Sequence, residues 1–201
     1  MSPRPRVDYC VVDVETANHG RHSICQIGIA VFAGGRMVDS WESLVDPEED
    51  FFHFNVAIHG IGPDMVAGAP NWAAVHPEVE RLLGGAVVAS HTAFDRGAME
   101  QASLRAQAPP IAYSRWLDTC GLAKAAFPEL ENHKLPTLAR SFGIVYKAHD
   151  ALEDARVAGV VLALALERRR MTIAELLAEP KQHIGSFPKA AVRGPKVAVR
   201  G

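Results

Sequence analysis

The chain has 201 residues, 48% of them hydrophobic and 22% charged, which suits one α/β domain with a sizeable core and a short appendage. Its apolar runs are shorter than the ~20 residues needed to span a bilayer, so we expect no membrane association. The net charge of −2 excludes a protein that coats duplex DNA through counterion release alone.

The order of the predicted elements indicates a mixed sheet with helices on both faces. Residues 7–14 form a nearly continuous apolar run that is typical of a central strand. Residues 24–33 and 36–45 are two further predicted strands, and Gly34-Gly35 between them favours a tight hairpin. Helices and short strands then alternate: a helix at 71–84 interrupted or restarted by Pro77, a strand at 86–90, a helix at 94–107, a strand at 116–117, a helix after Asp118, a helix from Pro136 and a helix at 151–169. The pattern predicts an α/β fold with a mixed five-stranded sheet.

The periodic pattern stops near residue 180, which divides the chain into a predicted catalytic domain at 1–179 and a flexible basic tail at 180–201. Residues 181–201 hold five basic residues and no acidic one, so residues 1–180 carry a net charge of −7. Such an acidic body suits a polyanionic substrate only if bound cations offset the repulsion. Three widely spaced cysteines without zinc-type or CxxC spacing favour a reducing cytoplasm.

Asp13 and Glu15 stand at the end of the first predicted strand. Residues two apart point to the same side of a strand, so both carboxylates leave one face. Two adjacent acids at the end of a buried strand repel each other unless a cation lies between them. The alternative is a solvated strand end.

Asp95 follows the strand at 86–90 and stands at the start of the next predicted helix. Taken alone, it is explained by the favourable interaction of an acid with a helix N-terminus. It becomes a candidate for the same site only together with the other acids.

The segment HDALED at 149–154 is more informative than the pair Asp13 and Glu15 or Asp95 alone. Asp150 followed by Glu153 resembles a capping box and predicts Asp150 as the N-cap of the long helix. His149 and Asp154 then occupy the two positions that usually hold apolar residues in contact with each other. An imidazole and a carboxylate in these positions indicate function rather than stability.

Together these residues predict a site that contains four carboxylates and one histidine. Oxygen ligands of this kind suit Mg²⁺ or Mn²⁺, and two such ions about 4 Å apart can stabilise an in-line displacement at phosphorus. Histidine titrates near neutral pH and can take a proton from an attacking water.

The three segments DVET at 13–16, HTAFD at 91–95 and HDALED at 149–154 resemble, in order and spacing, the exonuclease motifs of the DnaQ-like DEDDh family. This family includes the proofreading subunit of bacterial DNA polymerase III. The resemblance runs over roughly residues 7–170 and implies an RNase H-like fold, two divalent ions and release of nucleoside monophosphates from 3′ ends.

The resemblance also implies a role for each site residue. Asp13 would bridge both ions, Glu15 and Asp154 would complete one of them, and Asp95 would hold the second largely through water. His149 would be the general base.

The same resemblance implies a pocket for the terminal nucleotide. Thr16, His59, Ile61 and Phe94 match positions in or beside that pocket, with His59 and Ile61 as a wedge next to the base.

The leading hypothesis is a 3′→5′ exonuclease that acts on single-stranded or frayed DNA ends in proofreading or repair. Trimming of RNA or short oligoribonucleotides is the alternative, because no residue shows that the 2′-hydroxyl is read. A non-catalytic nucleic-acid-binding domain is the third; it would be expected to have lost an acid or His149, and all five are present.

Association with a polymerase follows from the family alone. Residues 182–187 loosely resemble peptides that bind sliding clamps, although Gly185 stands where an anchoring leucine or methionine is needed. The alternative is a basic tail that attracts nucleic acid.

Overall fold

The computed structural model describes residues 7–178 of the chain. The predicted basic tail at 180–201 and its clamp-like peptide therefore lie outside the described residues. Within them, five strands form one sheet: β1 (Tyr9–Thr16), β2 (Ile24–Ala33), β3 (Arg36–Leu44), β4 (Val87–Ser90) and β5 (Arg115–Asp118).

The sheet is mixed, as predicted, with the order β3-β2-β1-β4-β5. β1, β2 and β3 pair antiparallel, whereas β4 pairs parallel with β1 and β5 pairs parallel with β4. Gly34 and Gly35 make the hairpin turn between β2 and β3 with φ angles of 59° and 73°, which glycine adopts at little cost. β1 is the middle strand, so its carboxyl end lies beside that of its parallel neighbour β4.

Eight helices accompany the sheet in the described part of the chain: α1 (His53–His59), α2 (Pro63–Val66), α3 (Trp72–Leu83), α4 (Phe94–Arg105), α5 (Thr119–Ala126), α6 (Leu135–Ser141), α7 (Ala151–Arg169) and α8 (Ile173–Leu177). The short helices α1, α2 and α8 were not predicted. None of the described helices combines the length and apolar composition needed to cross a membrane.

The predicted break at Pro77 is wrong, because α3 runs through the proline without interruption. Apolar side chains on both sides of Pro77, Trp72 and Val75 before it and Val79 and Leu83 after it, are buried in one cluster. Burial of this continuous stripe outweighs the one backbone hydrogen bond that proline cannot donate.

Each face of the sheet has its own apolar core. On one face, Tyr9 and Val11 of β1 pack with buried residues of α5, α6 and α7. On the other face, Val12 and Val14 pack with residues of α3 and α4. The alternation along β1 therefore assigns its odd-numbered residues to the α7 face, which is the face that receives Asp13 and Glu15.

Two glycines let α7 lie close against the sheet. A Cβ at Gly28 of β2 would lie 2.3 Å from the backbone nitrogen of Leu152, and a Cβ at Gly159 of α7 would lie 2.2 Å from the ring of Phe32. Gly28 pairs directly with Asp13 across the β1–β2 ladder. The first turn of α7 consequently rests beside the carboxylates of β1.

Candidate active site

Asp13 and Glu15 lie near the carboxyl end of β1, and the register of the β1–β2 ladder shifts directly after Glu15. Both side chains project on the face covered by α7, as the spacing predicted. The strand extends to Thr16, so the two acids lie within the ladder rather than beyond it.

Asp95 lies in the first turn of α4, and only 4% of its surface is exposed. Its carboxylate oxygen Oδ1 accepts a hydrogen bond of 3.2 Å from the backbone N–H of Val14, which lies between the two acids of β1. The N-cap of α4 is Ala93, which makes no side-chain cap bond. Asp95 therefore bonds to the central strand, in addition to any favourable interaction with its own helix dipole.

The N-terminus of α7 is held from two sides. Asp150 is its N-cap and accepts from the N–H of Glu153 at 3.4 Å, as the capping pattern predicted. Gln26 of β2 accepts from the N–H of Ala151 at 3.1 Å, a contact between residues 125 positions apart. These bonds satisfy two of the helix N–H groups that have no partner within the helix.

His149 precedes this N-terminus with a left-handed φ of 61°, a conformation that costs free energy for any residue other than glycine. Its backbone N–H donates to Oδ2 of Asp154 at 2.9 Å, and its ring is exposed. His149 and Asp154, which were predicted to face each other, are thus joined by a hydrogen bond from the backbone of His149 to the carboxylate of Asp154. Glu15, His149 and Asp154 each place a potential ligand atom within 4.8 Å of the others.

All five predicted residues line one cleft of about 350 Å³. These residues are Asp13, Glu15, Asp95, His149 and Asp154. Three separate elements bring them together: β1, α4, and α7 with the two residues that precede it.

Burial and mutual repulsion raise the pKa of every carboxyl in the cleft. Burial is the first cause for Asp13, whose pKa lies well above its ordinary value, and the charges of Asp95, Asp154 and Glu15 add to it. Burial followed by repulsion from Asp154 raises the pKa of Glu15 to about 8.

The other two carboxyls are raised less because hydrogen bonds favour their charged forms. Burial raises the pKa of Asp95 to about 7, against the hydrogen bond from Val14. Burial raises the pKa of Asp154 to about 6, against the hydrogen bond from His149.

No lysine or arginine of residues 7–178 forms an ion pair with any of the four carboxylates. Four acids that repel one another without a cationic side chain are a costly arrangement in a folded protein. Oxygen donors of this number and charge fit divalent cations, which would remove the repulsion. The chemistry of the donor set therefore matches a metal site.

The four residues predicted to contact a terminal nucleotide lie in two different environments. Phe94 lines the cleft and is 37% exposed. Thr16, His59 and Ile61 are buried next to it and do not line it.

His59 is fixed in this buried position by two hydrogen bonds. Its Nδ1 accepts from the N–H of Ile61 at 3.0 Å, so its Nε2 carries the proton and donates to the carbonyl oxygen of Thr16 at 3.2 Å. Burial lowers the pKa of His59. Ile61 packs with Ala17, Cys25 and Val66 in a small core.

Gln26 and Tyr146 are two of the residues at the site that had not been predicted. Gln26 holds the start of α7, as described above, and Tyr146 lines the cleft. Burial, with the charges of Asp154 and Asp13, raises the pKa of Tyr146 to about 12, and its buried hydroxyl has no hydrogen-bond partner among residues 7–178. Neither role has a signal in the local sequence, since each depends on contacts with distant segments.

A family model described as an exonuclease, RNase_T, matches residues 10–162. Relatives include the DNA polymerase III PolC-type proteins of Oceanobacillus iheyensis, 31% identical over 164 residues, and of Bacillus subtilis, 27% identical over 163 residues. These alignments cover 80% and 79% of this chain but 11% of each relative. The chain thus spans about one tenth of the length of these relatives.

Solved structures share the fold at low sequence identity. Exonuclease X in complex with 5′ overhanging duplex DNA has a TM-score of 0.65 at 20% identity, over 83% of this chain and 95% of that one. The nuclease domain of 3′hExo, a DEDDh family member bound to rAMP, has a TM-score of 0.67 at 19% identity, over 82% and 94%. E. coli exonuclease I in complex with a dA16 oligonucleotide has a TM-score of 0.73 at 19% identity, over 84% and 42%.

The family model covers about three quarters of the 201 residues. This chain has the predicted RNase H-like arrangement of a mixed five-stranded sheet with helices on both faces, and it shares its fold with the solved structures. The acids and the histidine of the three sequence motifs meet in one cleft of that fold. The chain therefore belongs to the exonuclease family, and within it to the DnaQ-like, DEDDh type.

Proposed function

We propose that the protein is a metal-dependent 3′→5′ exonuclease that releases nucleoside monophosphates from single-stranded or frayed DNA ends. The observation that carries the proposal is the convergence of four carboxylates and one exposed histidine in a single cleft without a cationic side chain to neutralise them. The relatives named as DNA polymerases and the neighbours solved with DNA support the choice of substrate.

Asp13, Glu15, Asp95 and Asp154 would hold two divalent ions, Mg²⁺ or Mn²⁺. The ions would supply positive charge at the attacking and leaving oxygens of an in-line displacement at phosphorus. In this assignment Asp13 would contribute to both sites, because the other three acids are near enough for their charges to raise its pKa.

His149 would act as the general base on the attacking water. His149 is exposed and lines the cleft, and its backbone is fixed to Asp154, so the imidazole is accessible and its point of attachment is held in place. The water oxygen would attack phosphorus as His149 takes one of the water's protons. The bond to the 3′ oxygen of the penultimate nucleotide would break, and that oxygen would take a proton from solvent water to become the new 3′ hydroxyl. The products are a nucleoside 5′-monophosphate and a chain shortened by one nucleotide.

Phe94 would contact the terminal nucleotide directly, since its aromatic side chain lines the cleft and is 37% exposed. Thr16, His59 and Ile61 would form the wall behind it. Their buried hydrogen bonds favour a supporting role until a substrate opens this region.

The proposal is tested with 5′-labelled single-stranded DNA, duplex DNA and RNA of matched sequence, in Mg²⁺, in Mn²⁺ and in chelator. We expect a ladder of products shortened from the 3′ end, loss of activity in chelator, and rates at least 10²-fold lower in Asp13→Ala and His149→Ala. Glu153→Gln, which changes an acid paired with Arg156 outside the cleft, is the matched control. Undiminished activity in both cleft variants, or early release of the labelled 5′ nucleotide, would overturn the proposal.

Degradation of RNA is the second candidate, because one structural neighbour is bound to rAMP. Faster loss of RNA than of DNA in the same assay would favour it. The PolC-type relatives support a further proposal, that the domain works with a DNA polymerase in the cytoplasm. Co-purification with the polymerase from the source cells would test this association.

A further inference from the structure

Arg21 lies in the connection between β1 and β2 and is exposed. Its guanidinium carbon is 5.3 Å from the centre of the Phe94 ring. Phe94 in turn lines the cleft, so Arg21 lies at the cleft rim. We propose that Arg21 binds a backbone phosphate of the nucleic acid upstream of the scissile bond, a role that rests on the proposed nuclease function.

The first support is a position on α4 that is shaped to receive Arg21. A Cβ at Gly97 would lie 2.8 Å from a terminal nitrogen of the Arg21 guanidinium. Glycine inside a helix makes the helix less stable than alanine would at the same position. The missing Cβ, however, leaves room for the guanidinium of Arg21 to lie against the helix surface and over the ring of Phe94.

The second support is that the loop carrying Arg21 is held in place. Asn18 accepts from the N–H of Gly20 at 2.8 Å, and Ser23 donates from its backbone N–H to the carbonyl oxygen of Gly20 at 2.9 Å. On the far side of Arg21, the ring of His22 contacts Glu49 at 2.8 Å. Little of the binding free energy is then lost in ordering the arginine.

The third support is that the positive charge of Arg21 is not neutralised by an acidic side chain of the described residues. It forms no ion pair within residues 7–178. Glu49, the acid bound to the neighbouring His22, also pairs with Arg105 at 2.8 Å and accepts from Asn18 at 3.3 Å. An acid with three partners already in place leaves the Arg21 guanidinium available to another anion.

A phosphodiester is the anion that fits this place. The four acids of the cleft would be occupied by the metal ions, and the cleft lining, within residues 7–178, contains no lysine or arginine that could bind the phosphates next to the reacting one. A guanidinium can donate two parallel hydrogen bonds to phosphate, and stacking on an aromatic ring leaves its edge free to do so. Arg21 would thus supply the cationic side chain that the described cleft lining lacks and set the direction of the nucleic-acid backbone.

The test measures binding rather than turnover, in the His149→Ala background so that the substrate survives. The probe is a fluorescein-labelled single-stranded DNA 12-mer in Mg²⁺, titrated at several salt concentrations with fluorescence anisotropy as the readout. Arg21→Gln should raise Kd about 3- to 10-fold and reduce the slope of log K against log salt by about 0.7, the loss expected for one phosphate contact on a single strand. Gly97→Ala should raise Kd as well, because its Cβ displaces the guanidinium.

Arg96→Gln is the matched control. Arg96 is in α4, next to Gly97, and like Arg21 it lies over an aromatic ring, that of Tyr113 at 5.6 Å. Unlike Arg21, it is paired with Glu100 at 2.8 Å and lines a different pocket. It should leave Kd and the salt slope unchanged. Thermal unfolding of each variant checks that the fold is intact.

An unchanged salt slope in Arg21→Gln would overturn the phosphate contact, even if Kd rises. Wild-type Kd in Gly97→Ala would overturn the positioning by α4. Failure of the nuclease proposal is seen separately, as absence of degradation by the unmodified protein, and does not depend on these binding measurements.

Discussion

Asp154→Asn removes one negative charge from the cleft while it keeps an oxygen that can accept the N–H bond of His149. In the unmodified protein this bond is 2.9 Å long and only 8% of the surface of Asp154 is exposed. The substitution is nearly isosteric, so packing should change little. The substitution therefore measures how much the buried charge of Asp154 destabilises the fold, while the hydrogen bond with His149 is kept.

The sign and size of the effect follow from the pKa of Asp154, which burial raises from 3.8 to about 6. The folded state holds this proton more tightly than the unfolded state, so the metal-free protein loses stability as the pH rises from about 4 through about 6. At about 1.4 kcal/mol per pKa unit, the loss is about 3 kcal/mol above this range. The asparagine of Asp154→Asn does not ionise, so the metal-free variant should have a free energy of unfolding at pH 8 that is higher than that of the unmodified protein by up to this amount.

Thermal unfolding in chelator at pH 8 and near pH 4 measures the difference. A domain of this size gains about 2–4 °C in Tm per kcal/mol, so we expect a rise of up to about 6–12 °C at pH 8 and almost none near pH 4. Added Mg²⁺ or Mn²⁺ should stabilise the unmodified protein more than the variant, and nuclease activity should fall sharply in the variant. Destabilisation of the metal-free variant at pH 8 would refute the reasoning.

Glu153→Gln is the control of opposite sign. The pKa of Glu153 is lowered, first by its hydrogen bond with Arg156, so its charge stabilises the fold. Removing that charge should lower the Tm slightly at pH 8 and leave metal binding unchanged.

Four further substitutions test the contacts around the cleft and along α7. Gly28→Ala would place a Cβ 2.3 Å from the backbone of Leu152, so we expect a loss of about 1–3 kcal/mol in urea unfolding and at least tenfold lower activity. Gly159→Ala should cost similar stability with a smaller loss of activity, and equal losses of activity would contradict the link between Gly28 and the site. Tyr146→Phe should leave the free energy of unfolding unchanged or slightly higher, because the buried hydroxyl has no partner in the described part of the chain; a loss above about 1 kcal/mol would reveal one. Gln26→Ala should lower the rate of degradation more than the affinity for DNA, since it frees the start of α7; equal loss of both would argue for general unfolding.

The parts of the fold that could be predicted are those encoded within a few residues. The strand-like run around Asp13, the Gly34-Gly35 hairpin and the capping pattern at Asp150 are all local, and each is confirmed. Asp118 is likewise an N-cap, accepting from the N–H of Gly121 at 3.0 Å. Local patterns suffice here because strand alternation and helix capping depend on neighbours along the chain.

The parts that could not be predicted depend on burial against distant residues. Helix α3 continues through Pro77 because its apolar stripe is covered by the sheet, which no local rule for proline includes. The short helices α1 and α2 lack enough turns to show a periodic pattern. Burial of His59 and Ile61 beside Thr16 is also a tertiary fact, since isolated residues of these types give no sign of their neighbours.

By itself, the sequence determined which acids and which histidine could form a site, because their spacing on β1 and at the start of α7 fixes the direction of each side chain. Only the tertiary structure decided that they meet in one cleft. That meeting requires α7 to approach β1 over Gly28, Gln26 to hold the start of α7, and Asp95 to bond to Val14 from another helix. Contacts between segments up to 125 residues apart are set by packing of the whole chain, which no local pattern records.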